Sequence, residues 1–229
     1  MGAILCGCIT GCDTCEPPDP VKPTGRGPHV QTLSGRHWYP FSPRAEDVSF
    51  HDLRALSRIC RYGGHTAAGF YSVAEHAVRC AWLVRDWNGT ALECLAALHH
   101  DSHEAYPPGD QLGPFLRAMR DRDACAAMGL SPAAFAGLLA VEARAKAAVR
   151  TALGVADTFS DSRAAALVKR ADMVMLATER RDLMAPSDVD WGALPEPSSK
   201  LIAPWSPDVA WRRFAATHEE LCAAIGRAA

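Results

Sequence analysis

Residues 72–86 read SVAEHAVRCAWLVRD, and this stretch decides the fold class. Ser72 followed three residues later by Glu75 forms the capping box that begins an α-helix. An apolar stripe at helical spacing follows, made of Val73, Ala77, Cys80 and Val84. Because a stripe of this kind packs against other helices, the stretch predicts an amphipathic helix in a helical core.

His76 lies along this stripe, so we expect its imidazole to be buried or half-buried. A buried histidine usually bonds to a backbone carbonyl, although it can also bind a metal ion. Taken alone, His76 is more simply interpreted as a core histidine.

Helical signals recur along the chain from about residue 50, whereas strand-like alternation is absent. Helix starts are predicted at Ser49, Thr90, Ser131-Pro132, Asp161 and Ser206-Pro207. The sequence therefore predicts an all-α bundle of six or seven helices, with a short hairpin in the region 35–43. We predict a flexible Cys/Pro/Gly-rich leader over 1–30 and one folded domain over 31–229.

The bulk composition limits the classes of partner. The chain has 229 residues and a formal net charge of −2, so no basic surface for duplex nucleic acid is indicated. No apolar run approaches the roughly 20 residues of a membrane span. We expect a cytoplasmic protein, in the host cytoplasm if a phage encodes it.

The leader contains four closely spaced cysteines, Cys6, Cys8, Cys12 and Cys15. Their spacing could hold zinc in a reducing cell. The residues that follow, EPPDPVKPTGRGP, are typical of a disordered linker, which favours a flexible leader without metal. Five other cysteines are predicted to be small buried hydrophobes: Cys60, Cys80, Cys94, Cys125 and Cys222.

Residues 98–106, LHHDSHEAY, follow the Thr90 start and are predicted to be helical. Two side-chain pairs lie one turn apart there, and either could bind a metal ion. One is His99 with His103, and the other is His100 with Glu104, next to Asp101. Spacing alone does not choose between the two pairs.

Asp172 lies on the inward face of a later helix, beside Val168 and Met175. A buried carboxylate needs a nearby cation, because desolvating its charge costs several kcal/mol. Lys169 and Arg170 are expected to point elsewhere on the helical wheel. The partner of Asp172 is therefore predicted to come from another helix.

Three blocks of sequence together resemble a known family. They are CRYGGHTAAGFYSVAEHAV at 60–78, ALHHDSHEAY at 97–106 and VKRADMVMLATERRDL at 168–183. They are similar to the HD-domain phosphohydrolases of the YfbR-like branch, and most closely to phage and prophage members of the YfdR type. Some of those members, such as DatZ, hydrolyse deoxynucleoside triphosphates. The resemblance covers roughly residues 32–214 and implies the HD helical fold.

The resemblance implies four metal ligands: His76, His100, Asp101 and Asp172. It implies one divalent transition metal ion per subunit, Co, Mn, Zn or Fe, since no histidine lies between Glu104 and Asp172. His99 and His103 then become packing or supporting residues.

The same resemblance suggests roles for the residues around the metal. Glu104 would act as general base or orient water, and Arg61 would bind phosphate. Tyr62 would lie against the base and Asp110 at the sugar 3′-hydroxyl. His65 would either contact phosphate or sugar or stabilise its own turn. The loop before Asp110 is one residue longer than in the relatives. In ATERRD, 177–182, the charges of Glu179, Arg180 and Arg181 are expected to be solvated, and contact with triphosphate or a neighbouring subunit is the alternative.

The implied activity is metal-dependent removal of phosphate from 5′-deoxynucleotides. The phage-branch similarity favours a triphosphohydrolase of the dATP type, which releases deoxynucleoside and triphosphate. A 5′-deoxynucleotidase that acts on deoxynucleoside monophosphates is the alternative. From another class, an inactive nucleotide-binding or partner-binding protein could use the same fold. The relatives imply a homo-oligomer that binds a small-molecule deoxynucleotide.

Overall fold

A computed structural model describes residues 25–127, 129, 131 and 133–227 of the chain. The four leader cysteines lie outside the described residues, and so does the zinc interpretation based on them. Pro132 of the predicted Ser131-Pro132 helix start also lies outside them. Among those described, the N-terminal contacts include an ion pair between Arg26 and Asp47 at 2.8 Å.

A small antiparallel hairpin opens the fold. Its strands are β1, Val30–Gln31, and β2, His37–Trp38, with Val30 opposite Trp38. The turn between them uses Gly35 with φ +78°, a left-handed conformation that glycine adopts without a steric penalty. Trp38 is fully buried and stacks on Tyr106 with ring centroids 4.1 Å apart.

Tight 3₁₀ turns connect the hairpin to the helices. They span Ala45–Asp47, Phe50–Ser57 and Arg61–Gly64. The helix predicted to begin at Ser49 is thus a 3₁₀ helix that ends at Ser57.

The helix predicted from residue 72 is present as α1, Val73–Asp86. The Ser72 side chain accepts a hydrogen bond from the backbone N–H of Glu75, which satisfies one of the free donors of the first turn. Next comes α2, Ala91–Leu98, which begins with a complete capping box between Thr90 and Glu93.

The remaining helices follow in chain order. They are α3 Gly113–Arg120, α4 Arg122–Ala127, α5 Ala133–Ala152, α6 Ala156–Ser160, α7 Ser162–Leu183 and α8 Pro207–Ala224. The predicted all-α class is confirmed. Eight α-helices lie in the described part, and without the two short ones, α4 and α6, six remain. No described helix is both long and apolar enough to cross a bilayer.

The centre of the bundle is α1, which packs against α2, α7 and α8. Its apolar stripe, from Val73 to Val84, is almost completely buried. Phe214 of α8 and Leu95 of α2 are fully buried in the same core. Each such side chain contributes roughly 1.5–3 kcal/mol through burial, so α1 is held firmly between its neighbours.

The prediction that residues 98–106 continue one helix is wrong. Helix α2 ends at Leu98, and His99 occupies its C-cap with φ −104° and ψ 12°. A separate 3₁₀ turn, Ser102–Ala105, follows after Asp101. His100 and Asp101 therefore leave the end of α2 in the junction between two helical segments, where both side chains can approach α1.

Candidate metal centre

Helices α1 and α7 and the end of α2 bring four acceptor side chains together. The His76 Nε2 atom lies 3.3 Å from His100 Nε2 and 3.5 Å from Asp172 Oδ1. Asp101 Oδ2 lies 3.0 Å from His100 Nε2 and 4.0 Å from His76 Nε2. The four ligands that the family resemblance implies thus occupy one cluster, which we call the acceptor cluster.

Hydrogen bonds on the far side of each imidazole assign the tautomers. His100 Nδ1 donates to the Ala97 carbonyl at 2.7 Å, and His76 Nδ1 donates to Glu179 Oε1 at 2.5 Å. When both rings are neutral, with their protons on Nδ1, both Nε2 atoms present lone pairs to each other and to two carboxylates. Facing lone pairs repel, so this arrangement calls for a cation between them.

The donor set fits a metal ion. Donors that bind one tetrahedral ion at about 2.1 Å lie about 3.4 Å apart, close to the separations within the acceptor cluster. In the absence of an ion a proton can take its place. Burial and the charge of Arg61 lower the pKa of His76, but the acidic groups around the ring raise it well above its ordinary value.

Glu179 orients the His76 ring and is itself completely buried. Its carboxylate accepts hydrogen bonds from the hydroxyl of Tyr71 at 2.9 Å and from the hydroxyl of Tyr62. Arg61 Nε lies 3.4 Å from Glu179 Oε2. Burial raises the pKa of Glu179, but Arg61 and His76 lower it more, to about 2.

The prediction that Glu179 is a solvated charge is therefore wrong. Glu179 lies seven residues after Asp172 on α7, which is two helical turns and so the same face of the helix. That spacing was the signal in the sequence that could have identified it as a partner for His76.

Asp172 has a second partner besides His76. Lys169 Nζ lies 2.7 Å from Asp172 Oδ2, one turn back on α7. The expectation that Lys169 points away is wrong, because its long flexible side chain reaches back across the turn. Burial raises the pKa of Asp172, but the hydrogen bond to His76 and the charge of His100 lower it below its ordinary range.

Cys80 adjoins the acceptor cluster as well. It is fully buried, as predicted, but its Sγ lies 3.5 Å from His76 Nε2. The spacing of His76 and Cys80, four residues apart on α1, could have revealed this. His76, Cys80 and His100 form a buried group that could hold a metal ion.

Arg61 and Tyr62 lie beside the cluster. The Arg61 guanidinium lies 3.7 Å from Asp101 Oδ2, and its side chain is only 12% exposed. Tyr62 adopts φ 58° and ψ 23°, a left-handed conformation that costs roughly 1–3 kcal/mol in a bulky residue. Its hydroxyl donates a hydrogen bond to Glu179, the carboxylate that also accepts from His76 Nδ1.

Glu104 and Asp110 belong to the same acidic surroundings. Glu104 Oε2 is buried without a hydrogen-bond partner among the described residues. Burial and the charges of Asp101 and Asp110 raise the pKa of Glu104 well above its ordinary value. Burial also raises the pKa of Asp110. His65 is exposed, and within the described part of the chain no hydrogen bond or ion pair joins its ring to the acceptor cluster.

The other histidines of the stretch 98–106 lie elsewhere. His99 Nδ1 is 2.8 Å from the Ser102 hydroxyl, and His99 Nε2 is 2.8 Å from His218 Nδ1 on α8. His103 is buried with its Nε2 4.0 Å from Glu142. The structure thus separates the two pairs that spacing could not distinguish, and only His100 faces His76.

A cavity of about 590 Å³ opens between the end of α7 and the loop that follows it. Its walls include Arg180, Met184, Val189, Trp191 and Leu194. The Trp191 ring centroid lies 5.9 Å from that of Tyr62, and the residues that line the cavity are separate from the acceptor cluster.

Fold and site together define an all-α protein in which a buried group of two histidines and a cysteine could hold a metal ion. The chain belongs to the YfdR family. It is 33% identical over 189 residues to the uncharacterized protein YfdR of Escherichia coli (strain K12), an alignment that covers 81% of this chain and 90% of that relative. No protein-family model matches the chain.

Proposed function

We propose that this protein is an HD-domain phosphohydrolase that uses one divalent transition metal ion to remove phosphate from 5′-deoxynucleotides. The observation that carries the proposal is the acceptor cluster, in which the Nε2 atoms of two imidazoles converge with two carboxylates. His76, His100, Asp101 and Asp172 would hold the ion. The resemblance of the three sequence blocks to HD-domain phosphohydrolases supports the same assignment.

A bound divalent ion supplies Lewis acidity, which polarises a phosphoryl oxygen and favours ionisation of water. The chain would supply the groups around it. Glu104 has a free buried oxygen and a raised pKa, which suit a carboxylate that takes a proton from water.

Arg61 would bind the phosphate. Burial lowers the pKa of Arg61, but the charges of Glu179 and Asp101 raise it well above its ordinary value, so the side chain stays cationic. A guanidinium suits forked contacts to phosphate oxygens. Its present partners, Asp101 and Glu179, hold it next to the acceptor cluster.

The preferred substrate is a deoxynucleoside triphosphate of the dATP type, which would yield deoxynucleoside and triphosphate. This preference rests on the phage-branch resemblance. Tyr62 would lie against the base and Asp110 near the sugar hydroxyl, with His65 at the phosphate or sugar. The same resemblance supports a cytoplasmic homo-oligomer.

The test is product analysis with dATP and dAMP in the presence of Mn²⁺, Co²⁺ or Zn²⁺. Triphosphate released from dATP supports the preferred reaction. Inert dATP with phosphate released from dAMP would favour the 5′-deoxynucleotidase. If both nucleotides bind but neither is hydrolysed in the presence of each of the three metals, the result would favour the inactive binding protein and contradict the proposal.

A pair of variants separates catalysis from metal binding. Glu104→Gln should retain the metal and lose about 10²–10⁴-fold in kcat, the range expected for loss of a general base. Asp101→Ala should lose both metal and activity while the helical circular dichroism persists. The matched control is Glu220→Gln, an exposed carboxylate on α8 with 65% of its side chain accessible, which should change neither quantity.

A further inference from the structure

Cys80 lies on the interior side of the acceptor cluster. Cys80 and His76 are fully buried and His100 is 8% exposed, whereas the Asp101 and Asp172 side chains are 20% and 23% exposed. The surroundings of His76 Nε2 therefore have two chemically different sides. One side offers sulfur within the core, and the other offers carboxylate oxygens toward solvent.

The position of the Cys80 sulfur matches that of a ligand. A thiolate at about 2.3 Å and an imidazole nitrogen at about 2.05 Å from one tetrahedral ion lie about 3.6 Å apart. The Cys80 Sγ to His76 Nε2 distance is 3.5 Å. The ligand atoms of His76, Cys80 and His100 also all lie within 4.8 Å of one another.

We propose that Cys80 is a metal ligand for thiophilic ions, so that the two histidines belong to two overlapping donor sets. Zn²⁺, Co²⁺ and Cd²⁺ would bind with the Cys80 thiolate, both imidazoles and a carboxylate. Oxygen-preferring ions such as Mn²⁺ would bind with both carboxylates and without sulfur. Binding through sulfur releases the thiol proton to solvent, so charge and atoms balance without an oxidant or reductant.

This inference rests on the metal centre proposed above, although not on the reaction. It gives the site a preference among metals that the two-histidine, two-carboxylate set lacks. It also implies that the chosen metal changes the number of carboxylates left for a bound substrate or water.

The test is titration of the full-length chain with Co²⁺, followed in the near-ultraviolet, where thiolate-to-Co²⁺ charge transfer absorbs. Because the leader also contains cysteines, every protein in the series carries serine at positions 6, 8, 12 and 15. The series compares this background with Cys80→Ser and with Cys80→Ala. Cys94→Ser is the matched control, since Cys94 is a buried cysteine on α2.

We expect the charge-transfer band in the background and in Cys94→Ser, and no band in either Cys80 variant. Competition between Zn²⁺ and Mn²⁺ should show a preference for Zn²⁺ that falls at least about tenfold on loss of Cys80, by analogy with the loss of other metal-site interactions. Helical circular dichroism verifies folding, and the alanine variant provides a second reading if the serine variant unfolds.

Stoichiometric Co²⁺ without the band, or a band that survives both Cys80 substitutions, would overturn the inference. So would an absence of Co²⁺ binding. The phosphohydrolase proposal fails separately: a Cys80-dependent band in a protein that hydrolyses no nucleotide would retain this inference and reject the reaction. Nucleotide hydrolysis by a protein that shows no Cys80-dependent band would retain the phosphohydrolase proposal and reject this inference.

Discussion

His99 and His100 are adjacent in the chain, yet they have opposite environments. Both ring nitrogens of His99 have hydrogen-bonding partners at 2.8 Å, the Ser102 hydroxyl and His218. His100 Nδ1 donates to the Ala97 carbonyl at 2.7 Å, whereas its Nε2 lies 3.3 Å from His76 Nε2 and 3.0 Å from Asp101 Oδ2. Helix α2 ends at Leu98, so the side chains of His99 and His100 no longer follow the helical periodicity. The two rings can therefore point to different parts of the core.

The comparison distinguishes a structural histidine from a binding one. A buried polar group whose partners are complete rigidifies the core, and it gains nothing from a ligand. A buried acceptor whose neighbours are also acceptors is stabilised only when a cation arrives. The four predictions below test this distinction, beginning with the largest effect.

The first prediction concerns His100→Ala, which removes a proposed ligand. We expect the dissociation constant for Zn²⁺ or Co²⁺ to rise more than about 100-fold, beyond the range seen for indirect partners of a metal site. Metal competition with a chromophoric chelator measures the effect. An affinity within a factor of ten of the wild type would show that the acceptor cluster is not the metal site.

The second prediction concerns Glu179→Gln, which weakens the charged acceptor behind His76. We expect metal affinity to fall about 10–100-fold, because Glu179 sets the tautomer and basicity of the ring. The control is Glu75→Gln, since Glu75 is an equally buried carboxylate of α1 that bonds Arg79 and the backbone of Trp205. Equal losses of affinity in both variants would indicate a general structural effect.

The third prediction concerns His99→Leu, which leaves His218 and Ser102 without their partner. We expect the free energy of unfolding of the metal-free protein to fall by about 1–3 kcal/mol, the range for an unsatisfied buried group. Metal affinity should change less than about twofold. Chemical denaturation and metal competition measure the two quantities, and a large loss of affinity would contradict the division between the adjacent histidines.

The fourth prediction concerns pH. Burial lowers the pKa of His218 to about 4, so the unfolded chain takes up a proton near pH 6.5 that the folded protein does not. The contribution of neutral His218 to the free energy of unfolding is therefore fully present above pH 6.5, and it decreases as the pH falls toward 4. Between pH 6.5 and 5.5 this group should lower the free energy of unfolding by about 1 kcal/mol.

Denaturation curves at several pH values, compared between the wild type and His218→Gln, measure this contribution. The exposed histidine His51, replaced by glutamine, serves as control. A wild-type protein whose stability is constant between pH 6.5 and 5.5, or a His218→Gln protein with the same pH dependence, would contradict the prediction.

The fold class was predictable because local rules agree with the packing. Capping at Ser72, Thr90, Asp161 and Ser206 marks real helix starts in the structure. The end of α2 was not predictable in the same way. Residues 98–106 carry no glycine or proline before Pro107, and their departure from the helix is set by tertiary contacts of His99, His100 and Tyr106.

The side chains that support the site were harder to predict than the proposed ligands. Glu179 is seven residues from Asp172 on α7, and Cys80 is four residues from His76 on α1. Each spacing becomes informative only when His76 is known to need a partner. Lys169 was misplaced because a helical wheel fixes the direction of Cβ but not the reach of a long flexible side chain. Contacts between helices lie outside any local pattern.

The acceptor cluster also has a consequence for folding. Its residues come from segments far apart in the chain, with His76 and His100 separated by 24 positions and Asp172 supplied by α7. The unfolded chain therefore contains no equivalent cluster, and an ion bound there would stabilise only the state in which α1, α2 and α7 have docked. At 100 times its dissociation constant, a bound ion raises the unfolding free energy by about 2.7 kcal/mol, so metal supply would lower the unfolded fraction of the protein about 100-fold.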